Sequence, residues 1–504
     1  MRRSAMQKKT RPLNQNRMNN MSRILKLFFL SLLIAGMTGC AVGPNFQKPV
    51  VNSPKEFRFN YTGIDTNMQL CWWELFRDPV LDSLVTLALN ENKDVLIAAK
   101  RVEEARATVG FTSADQWPVL GYEGNIQGNN INNVLLNGST DHYANYYAAP
   151  VLSWELDFWG KYRRATEGAR AELLATEYGY RSVMISLISD VTTMYYQLLD
   201  YQNRLEISQS TLLTRQKYLK IMQDRYDKGY IAEIDLNQAQ IQEAIAAAAV
   251  PQYTRAVAQT ENGLSILLGR NPGPVIQDTK LDNLNVPPDI PPGMPSTLLQ
   301  NRPDILQAEA YVHAQNARIG VAQAMRFPTF SLTALFGVAS PDLTFSAANA
   351  AWSVSGTIFG PLFNFGKNKK RVEIERYRTE QAYLAYDQVV LNAFRETEDA
   401  LISITTYRDE LIAVLRQRVA AESAYMLSKA RYDEGLTSYL EVLDAERSLF
   451  DASLYASETM MYRLSSYVYL YKSLGGGWIS PEEKQAAEQA AREEAARQQQ
   501  GKKK

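Results

Sequence analysis

The chain has 504 residues with 54 basic and 54 acidic side chains, so its formal net charge is zero. That balance gives no electrostatic case for nucleic acid binding. Hydrophobic residues make up an ordinary 46% of the chain. Beyond the N-terminus no stretch approaches the roughly 20 apolar residues that a spanning helix needs. If the protein crosses a membrane, it therefore does so with strands.

The first 39 residues have the features of a secretory signal. They contain no acidic residue, and a basic region precedes a short apolar core at 27–34. The core is too short to span a membrane and ends in small residues, so we interpret residues 1–39 as a signal peptide. Because the basic region is unusually long, translation could start at Met1, Met18 or Met21.

Cys40 follows Met37-Thr38-Gly39, with small residues directly before the cysteine, and this stretch resembles a bacterial lipobox, in which the cysteine becomes the lipidated N-terminus. An extended segment, residues 40–77, would then be lipid-anchored. Ala41 in place of aspartate favours the outer membrane, by resemblance to bacterial sorting rules. The alternative is an ordinary signal with a chance cysteine. We expect Cys71 to be a small buried residue, and a bridge to Cys40 is the less favoured possibility.

Residues 78–117 have a helical pattern that starts at Asp78-Pro79 and ends before Pro118. The apolar period then changes to two, with a polar loop predicted at 129–141, which indicates a β-hairpin over 119–158. A second hairpin is predicted over 329–360.

Four strands of about ten residues, apolar on one face and polar on the other, are typical of a membrane barrel with a wet interior. An ordinary antiparallel sheet would alternate in the same way, and the secretory signal with its lipobox favours the barrel. Since even the smallest barrel needs about eight strands, copies of the chain must pool their strands.

About 65 proline-free residues follow each hairpin, at 160–225 and 366–431. A continuous helix of that length would measure roughly 100 Å. Apolar residues step by four and three along these runs, so we predict long antiparallel helix pairs with coiled-coil packing. Pro251 should kink or locally break the first return helix.

The helices turn at two versions of one motif, RYDKGYIAEIDLNQAQ from Arg225 and RYDEGLTSYLEVLDAERS from Arg431. Gly229 and Gly435 suit the left-handed residue that ends a helix. Upstream segments repeat at similar offsets, which indicates a tandem duplication. The predicted organisation is a first repeat at 78–270, a Pro/Gly-rich linker at 271–301, a second repeat at 302–475 and a charged tail at 476–504.

Catalytic motifs are missing from the sequence. With only two histidines there is no HExxH site or histidine triad, and neither CxxC nor GxSxG occurs. The segment from Gly360 to Lys367 does not have the spacing of a phosphate loop. We therefore expect no enzyme, no metal site and no cofactor other than a covalent lipid on Cys40.

The segments CAVGPNFQKP, WWELFRDPVLDSLV, NRPDI and RYDEGLTSYLEVLDAERSLF resemble the TolC-like outer membrane efflux factors, specifically the lipoprotein branch of tripartite (RND-type) drug pumps. The resemblance extends from Cys40 to about Trp478. It implies a mainly α fold with a membrane β-barrel: a homotrimer whose chains contribute four strands each to a barrel of about twelve, continued by an α-helical tunnel. Partners would be outer membrane lipids, a periplasmic adaptor and an inner-membrane pump.

The resemblance also implies roles for residues near the two turns. The positions carried over are those of a periplasmic gate, Asp235, Tyr432, Glu441 and Asp444, and of the turns where adaptor hairpins dock, Gly229 and Gly435. The first repeat has Asn237 and Gln238 near the place of the second acid. The alternative role of the acids is electrostatic, because carboxylates stabilise helix N-termini.

The sequence thus favours a passive exit duct in the outer membrane that conducts drugs or other small molecules, with its helical tunnel in the periplasm. The alternatives are a coiled-coil outer-membrane lipoprotein that acts as a scaffold or adhesin, and an exit duct for a secreted protein. A lipid-anchored enzyme is a more distant third.

Overall fold

The computed structural model describes residues 41–51, 53–59, 72–132, 140–275, 279–281, 284, 286–287, 299–340 and 350–476. The predicted signal peptide, Cys40, Cys71 and the tail beyond 476 lie outside the described residues. Among the residues described, no helix combines the length and apolar character needed to cross a membrane.

Along the chain, each repeat contains one pair of strands with helices before and after it. The first contains α1 (Pro79–Glu91), α2 (Lys93–Ala114), β1 (Val119–Asn132), β2 (Thr140–Leu156), α3 (Lys161–Asp227) and α4 (Glu233–Leu267). The second contains α5 (Pro303–Ala324), β3 (Thr329–Ser340), β4 (Ala350–Phe359), α6 (Lys367–Asp433) and α7 (Tyr439–Ser473). The predicted proline-free helices are confirmed, since α3 and α6 are each continuous over 67 residues.

The four strands form one antiparallel sheet in the order β1-β2-β3-β4, so β1 and β4 are its edges. Trp154 of β2 pairs with Leu332 of β3, and Phe330 of β3 pairs with Ile358 of β4. Large apolar side chains project to solvent from the edge strands, among them Tyr122, which is 95% exposed, and Trp352, which is 73% exposed.

The first hairpin lies within its predicted bounds of 119–158, but its strands are longer than predicted. Strands β1 and β2 have 14 and 17 residues rather than about ten, and the pairing continues to Asn132 and Thr140, inside the predicted loop at 129–141. An Asn- and Gly-rich segment lacks the alternation that marks a strand, but the backbone ladder does not require apolar side chains. Sequence composition therefore predicted too long a loop, since strand residues occupy both of its ends.

The predicted helix over 78–117 is in fact two helices separated at Asn92. The Asn92 backbone is extended, with ψ at 130°. Its side-chain oxygen accepts hydrogen bonds from the amides of Asp94 and Val95 at 2.9 and 3.2 Å, and its Nδ2 donates to the Leu267 carbonyl at 2.9 Å. Asparagine is a strong N-cap residue, and here it ends one helix and starts the next.

A kink or a local break was predicted at Pro251, and the break is absent, because α4 continues through this residue. Proline removes one backbone donor and leaves the carbonyl of Ala247 without its helical partner. Pro251 is exposed and Ala247 only partly buried, so water can solvate that carbonyl.

The chain divides into two compact units, each made of discontinuous segments. The first comprises 1–48, 105–173 and 311–383, and its described residues include the sheet. The second comprises 49–104, 174–310 and 384–504, and its described residues include both helical turns. The main hydrophobic core belongs to the second unit, where the apolar stripe predicted on α3 is buried: Met184, Ile188, Val191, Tyr195 and Leu198.

Candidate gate at the helical turns

The two turns that end α3 and α6 have the same backbone geometry. Gly229 and Gly435 adopt φ angles of 72° and 74°. In the first turn the amides of Gly229 and Tyr230 donate to the carbonyls of Tyr226 and Arg225 at 2.8 and 2.9 Å. This is the Schellman arrangement, which requires a left-handed residue. A Cβ at either glycine would meet nothing within 4 Å, so backbone conformation rather than space favours glycine.

The helices that follow the turns begin without side-chain caps. Ala232 is the N-cap of α4 and Ser438 that of α7, and neither makes a side-chain cap hydrogen bond. Asp235 and Glu441 therefore lie at the third helical position of their helices, where a carboxylate interacts favourably with the helix dipole. The helix-start interpretation of these acids fits their positions.

The helices α3 and α4 form a first helical hairpin, and α6 and α7 form a second. Glu441 has polar partners within the second helical hairpin. Arg431 Nη1 lies 2.9 Å from Glu441 Oε1, and the hydroxyls of Ser428 and Thr437 also donate to this carboxylate. The Thr437 hydrogen bond is the main cause that holds the pKa of Glu441 below its ordinary value, and Arg431 adds to it. Asp444 likewise pairs with Arg447 at 2.5 Å.

Tyr432 connects the two hairpins. Arg225 Nη1 of α3 donates to the Tyr432 hydroxyl at 2.6 Å, and the guanidinium carbon lies 5.5 Å from the centre of the Tyr432 ring. Burial is the main cause that raises the pKa of Tyr432, and the charge of Asp235 raises it further. Beside Tyr432 lies an apolar cluster, which we call the tip cluster: Met222, Leu236, Ala239, Tyr439, Val442 and Leu443.

Asp235 is thus near enough to Tyr432 for its charge to raise the pKa of that tyrosine. Glu441 and Asp444 are paired with arginines of the same chain. Sequence reasoning missed Arg225 and Arg431. The repeated Arg-Tyr-Asp motif could have drawn attention to them, but not to their different partners. Among the described residues no group of His, Cys, Asp or Glu could hold a metal ion.

Comparison with known proteins identifies similar chains over most of the length. The family model for "Outer membrane efflux protein" matches residues 84–270 and 294–476. The solvent efflux pump outer membrane protein SrpC of Pseudomonas putida is 34% identical over 461 residues, which are 89% of this chain and 97% of SrpC. The cation efflux system protein CusC of Escherichia coli K12 is 33% identical, over 88% of this chain and 97% of CusC.

A solved structure has the same fold. The outer-membrane channel OprN superposes with a TM-score of 0.82 at 29% sequence identity, and the match covers 87% of this chain and all of that one.

Proposed function

This chain belongs to the outer membrane efflux protein family, and we propose that three copies of it form the exit duct of a tripartite efflux system. It is an outer membrane efflux channel. In the proposed assembly the strands form a barrel in the outer membrane, the long helices form a periplasmic tunnel, and an adaptor and an inner-membrane pump engage the turns. The channel conducts cargo passively and has no catalytic role.

The observation that carries the oligomer proposal is the pair of free sheet edges. Strands β1 and β4 each have a neighbour on one side only, while the apolar face, including Tyr122 and Trp352, is exposed. A bilayer cannot satisfy unpaired backbone groups, so an edge needs a partner strand. Pairing β1 of one copy with β4 of the next satisfies both edges, and three copies give a closed barrel of about twelve strands.

Light scattering with detergent subtraction tests the assembly. The purified protein should have a mass close to three chains, because a closed ring removes every edge. Circular dichroism of the same sample controls for folding. A well-folded monomer would contradict the proposal.

The cargo proposed is a drug or another small molecule. Names of similarly distant relatives refer to solvents, toluene and cations, so relatedness at this level does not select a cargo class. Membership of the outer membrane efflux protein family favours the channel over the scaffold or adhesin role.

The gate is proposed to lie at the turns. The bond between Arg225 and Tyr432 joins the first hairpin to the second, so the turns cannot separate there without breaking it. Asp235, Glu441 and Asp444 lie just beyond the turns and would give the passage a cation preference. The exposed turns at Gly229 and Gly435 are the proposed docking points of the adaptor.

Lipidation of Cys40 is the remaining part of the proposal. Ala41, the next residue, lies against Gly160, where a Cβ would approach the Ala41 Cβ to 2.5 Å. The Val42 amide also donates to the Trp159 carbonyl at 3.0 Å. Both contacts lie just beyond the end of β2, and they support the proposal because residue 41 is covalently joined to Cys40.

Metabolic labelling with a fatty acid tests the anchor. Cys40→Ser should abolish the label, because the acceptor sulfur is lost, while the strands remain able to insert. Cys71→Ser is the matched control and should keep the label. Equal labelling of Cys40→Ser and the unmodified sequence would refute lipidation at this residue.

A further inference from the structure

Arg215 is a buried charge on α3, some distance above the turn. The residue is 3% exposed, and the helix between positions 215 and 229 rises by about 20 Å. Its Nη1 donates to the Gln242 carbonyl of α4 at 2.7 Å. Its Nε lies 3.5 Å from Glu446 Oε1 of α7. One guanidinium thus contacts both helices of its own hairpin and one helix of the other.

This contact is not the arrangement that would maximise stability. Arg215 Nε and Nη2 are buried without a hydrogen-bond partner, and so are the side-chain oxygens of Gln238 and Gln242. A buried ion pair is often no more stable than a well-packed apolar pair, and unpaired buried donors add to its cost. The neighbourhood of Arg215 thus contains unmatched donors on α3 and unmatched acceptors on α4.

The contacts between the helical hairpins differ on the two sides of Arg215, towards the turns and away from them. Towards the turns the helical hairpins meet through the tip cluster, whose apolar contacts are non-directional, and through the exposed bond from Arg225 to Tyr432. Farther from the turns a second polar contact joins the hairpins, where the Ser457 hydroxyl donates to Asp200 at 2.6 Å and Arg204 lies 3.4 Å from Glu458. Arg215 is therefore a buried directional contact between the helical hairpins, on the side of the tip cluster away from the turns.

We propose that Arg215 is a positioning residue for the gate, which fixes α4 and α7 against α3 and sets the upper limit of the segment that moves when the turns part. When Glu446 moves away, the side-chain oxygens of Gln238 and Gln242 become the acceptors of Arg215. The inference rests on the proposed function, because it requires that the turns separate during opening.

Hydrogen exchange of the intact detergent-solubilised oligomer, read by mass spectrometry, locates the moving segment. In the unmodified protein, residues 216–227 should exchange faster than 205–214. In the double variant Arg215→Met, Glu446→Met, exchange at 205–214 should rise about tenfold, because the limit shifts up to the Asp200 contact. A purely stabilising role predicts the opposite, since apolar replacement of a buried pair leaves stability equal or higher.

The matched control removes an exposed ion pair in the same segment. Lys280 and Glu206 lie 2.9 Å apart with side chains 67% and 64% exposed, so Lys280→Gln, Glu206→Gln should leave exchange unchanged. Equal exchange at 205–214 in the Met variant and this control would overturn the proposal.

Glu446→Gln provides a second measurement that does not depend on the folding of the Met variant. It removes the anionic partner while keeping the side-chain shape, so the Arg215 guanidinium should donate instead to the side-chain oxygens of Gln238 and Gln242. Single-channel recordings in planar bilayers should then show openings about tenfold more frequent. Unchanged opening would count against the second pairing. If Tyr432→Phe also leaves conduction unchanged, the proposed gate at the turns is wrong. The exchange experiment still tests whether Arg215 limits the moving segment.

Discussion

The two helical turns share a backbone but differ in side-chain contacts. Each follows a helix of 67 residues and precedes one of 35, and their glycines differ by only 2° in φ, 72° against 74°. Arg225 of the first turn bonds to Tyr432 of the other hairpin. The equivalent Arg431 bonds to Glu441 of its own hairpin. The duplicated motif therefore specifies the turn, but not the partners of its side chains.

Residues that differ between the two copies of the motif account for this difference. Thr437 donates to Glu441, whereas the first repeat has Ile231 in the corresponding position, which has no hydroxyl. Tyr439 is buried beside Tyr432 with ring centres 5.3 Å apart, whereas the first repeat has Glu233 there. A carboxylate in that position cannot extend an apolar cluster without a large desolvation cost. The second turn therefore has both the additional hydrogen bond and the aromatic packing.

Removing the tyrosine hydroxyl from each turn in separate variants should give the largest difference between the two turns. Tyr432→Phe loses the bond from Arg225, and a hydrogen bond to a charged group contributes about 1.5–3 kcal/mol. Openings in planar bilayers should become at least about tenfold more frequent. The control is Tyr226→Phe, since Tyr226 is 37% exposed and should not affect opening. Similar behaviour of the two variants would mean that the cross-hairpin bond does not hold the gate.

Substituting the two glycines tests how far the turns are alike. Alanine at Gly229 or Gly435 would need a left-handed conformation, which costs about 1–2 kcal/mol for a residue with a Cβ. The two variants should lower the temperature of oligomer dissociation by the same amount, because neither Cβ meets a neighbouring atom within 4 Å. Unequal losses would show that side-chain contacts also stabilise the turn backbone.

Neutralising the acids should have the smallest effect. Glu441→Ala, Asp444→Ala should weaken cation selectivity and block by multivalent cations in planar bilayers, with stability nearly unchanged. Because Arg431 and Arg447 already pair with these acids, we expect a modest shift in reversal potential. Asp235→Ala is the first-repeat counterpart for comparison. Unchanged selectivity in the double variant, with a small loss of stability, would favour helix-start stabilisation instead.

Local patterns in the sequence were sufficient for most of the fold. The period of two predicted the strands, the proline-free periodic runs predicted α3 and α6, and the glycines predicted the turns, because each signal lies within a short stretch of chain. The patterns were wrong at Asn92 and at the loop of the first hairpin, and of the two outcomes predicted at Pro251 the local break is absent. At Asn92 the side chain bonds to Leu267, a residue 175 positions away, and no local pattern records such a contact.

The sequence by itself determined the family, the duplicated architecture and the positions of the candidate gate residues, because these depend on residue order and periodicity. Only the tertiary structure decided their partners: that Arg225 bonds to Tyr432 across 207 positions, that Glu441 is paired with Arg431, and that Arg215 is buried between α4 and α7. Such contacts depend on which faces of long helices meet. A one-turn displacement between packed helices moves each side chain by about 5.4 Å, enough to replace every polar partner without changing the helical pattern.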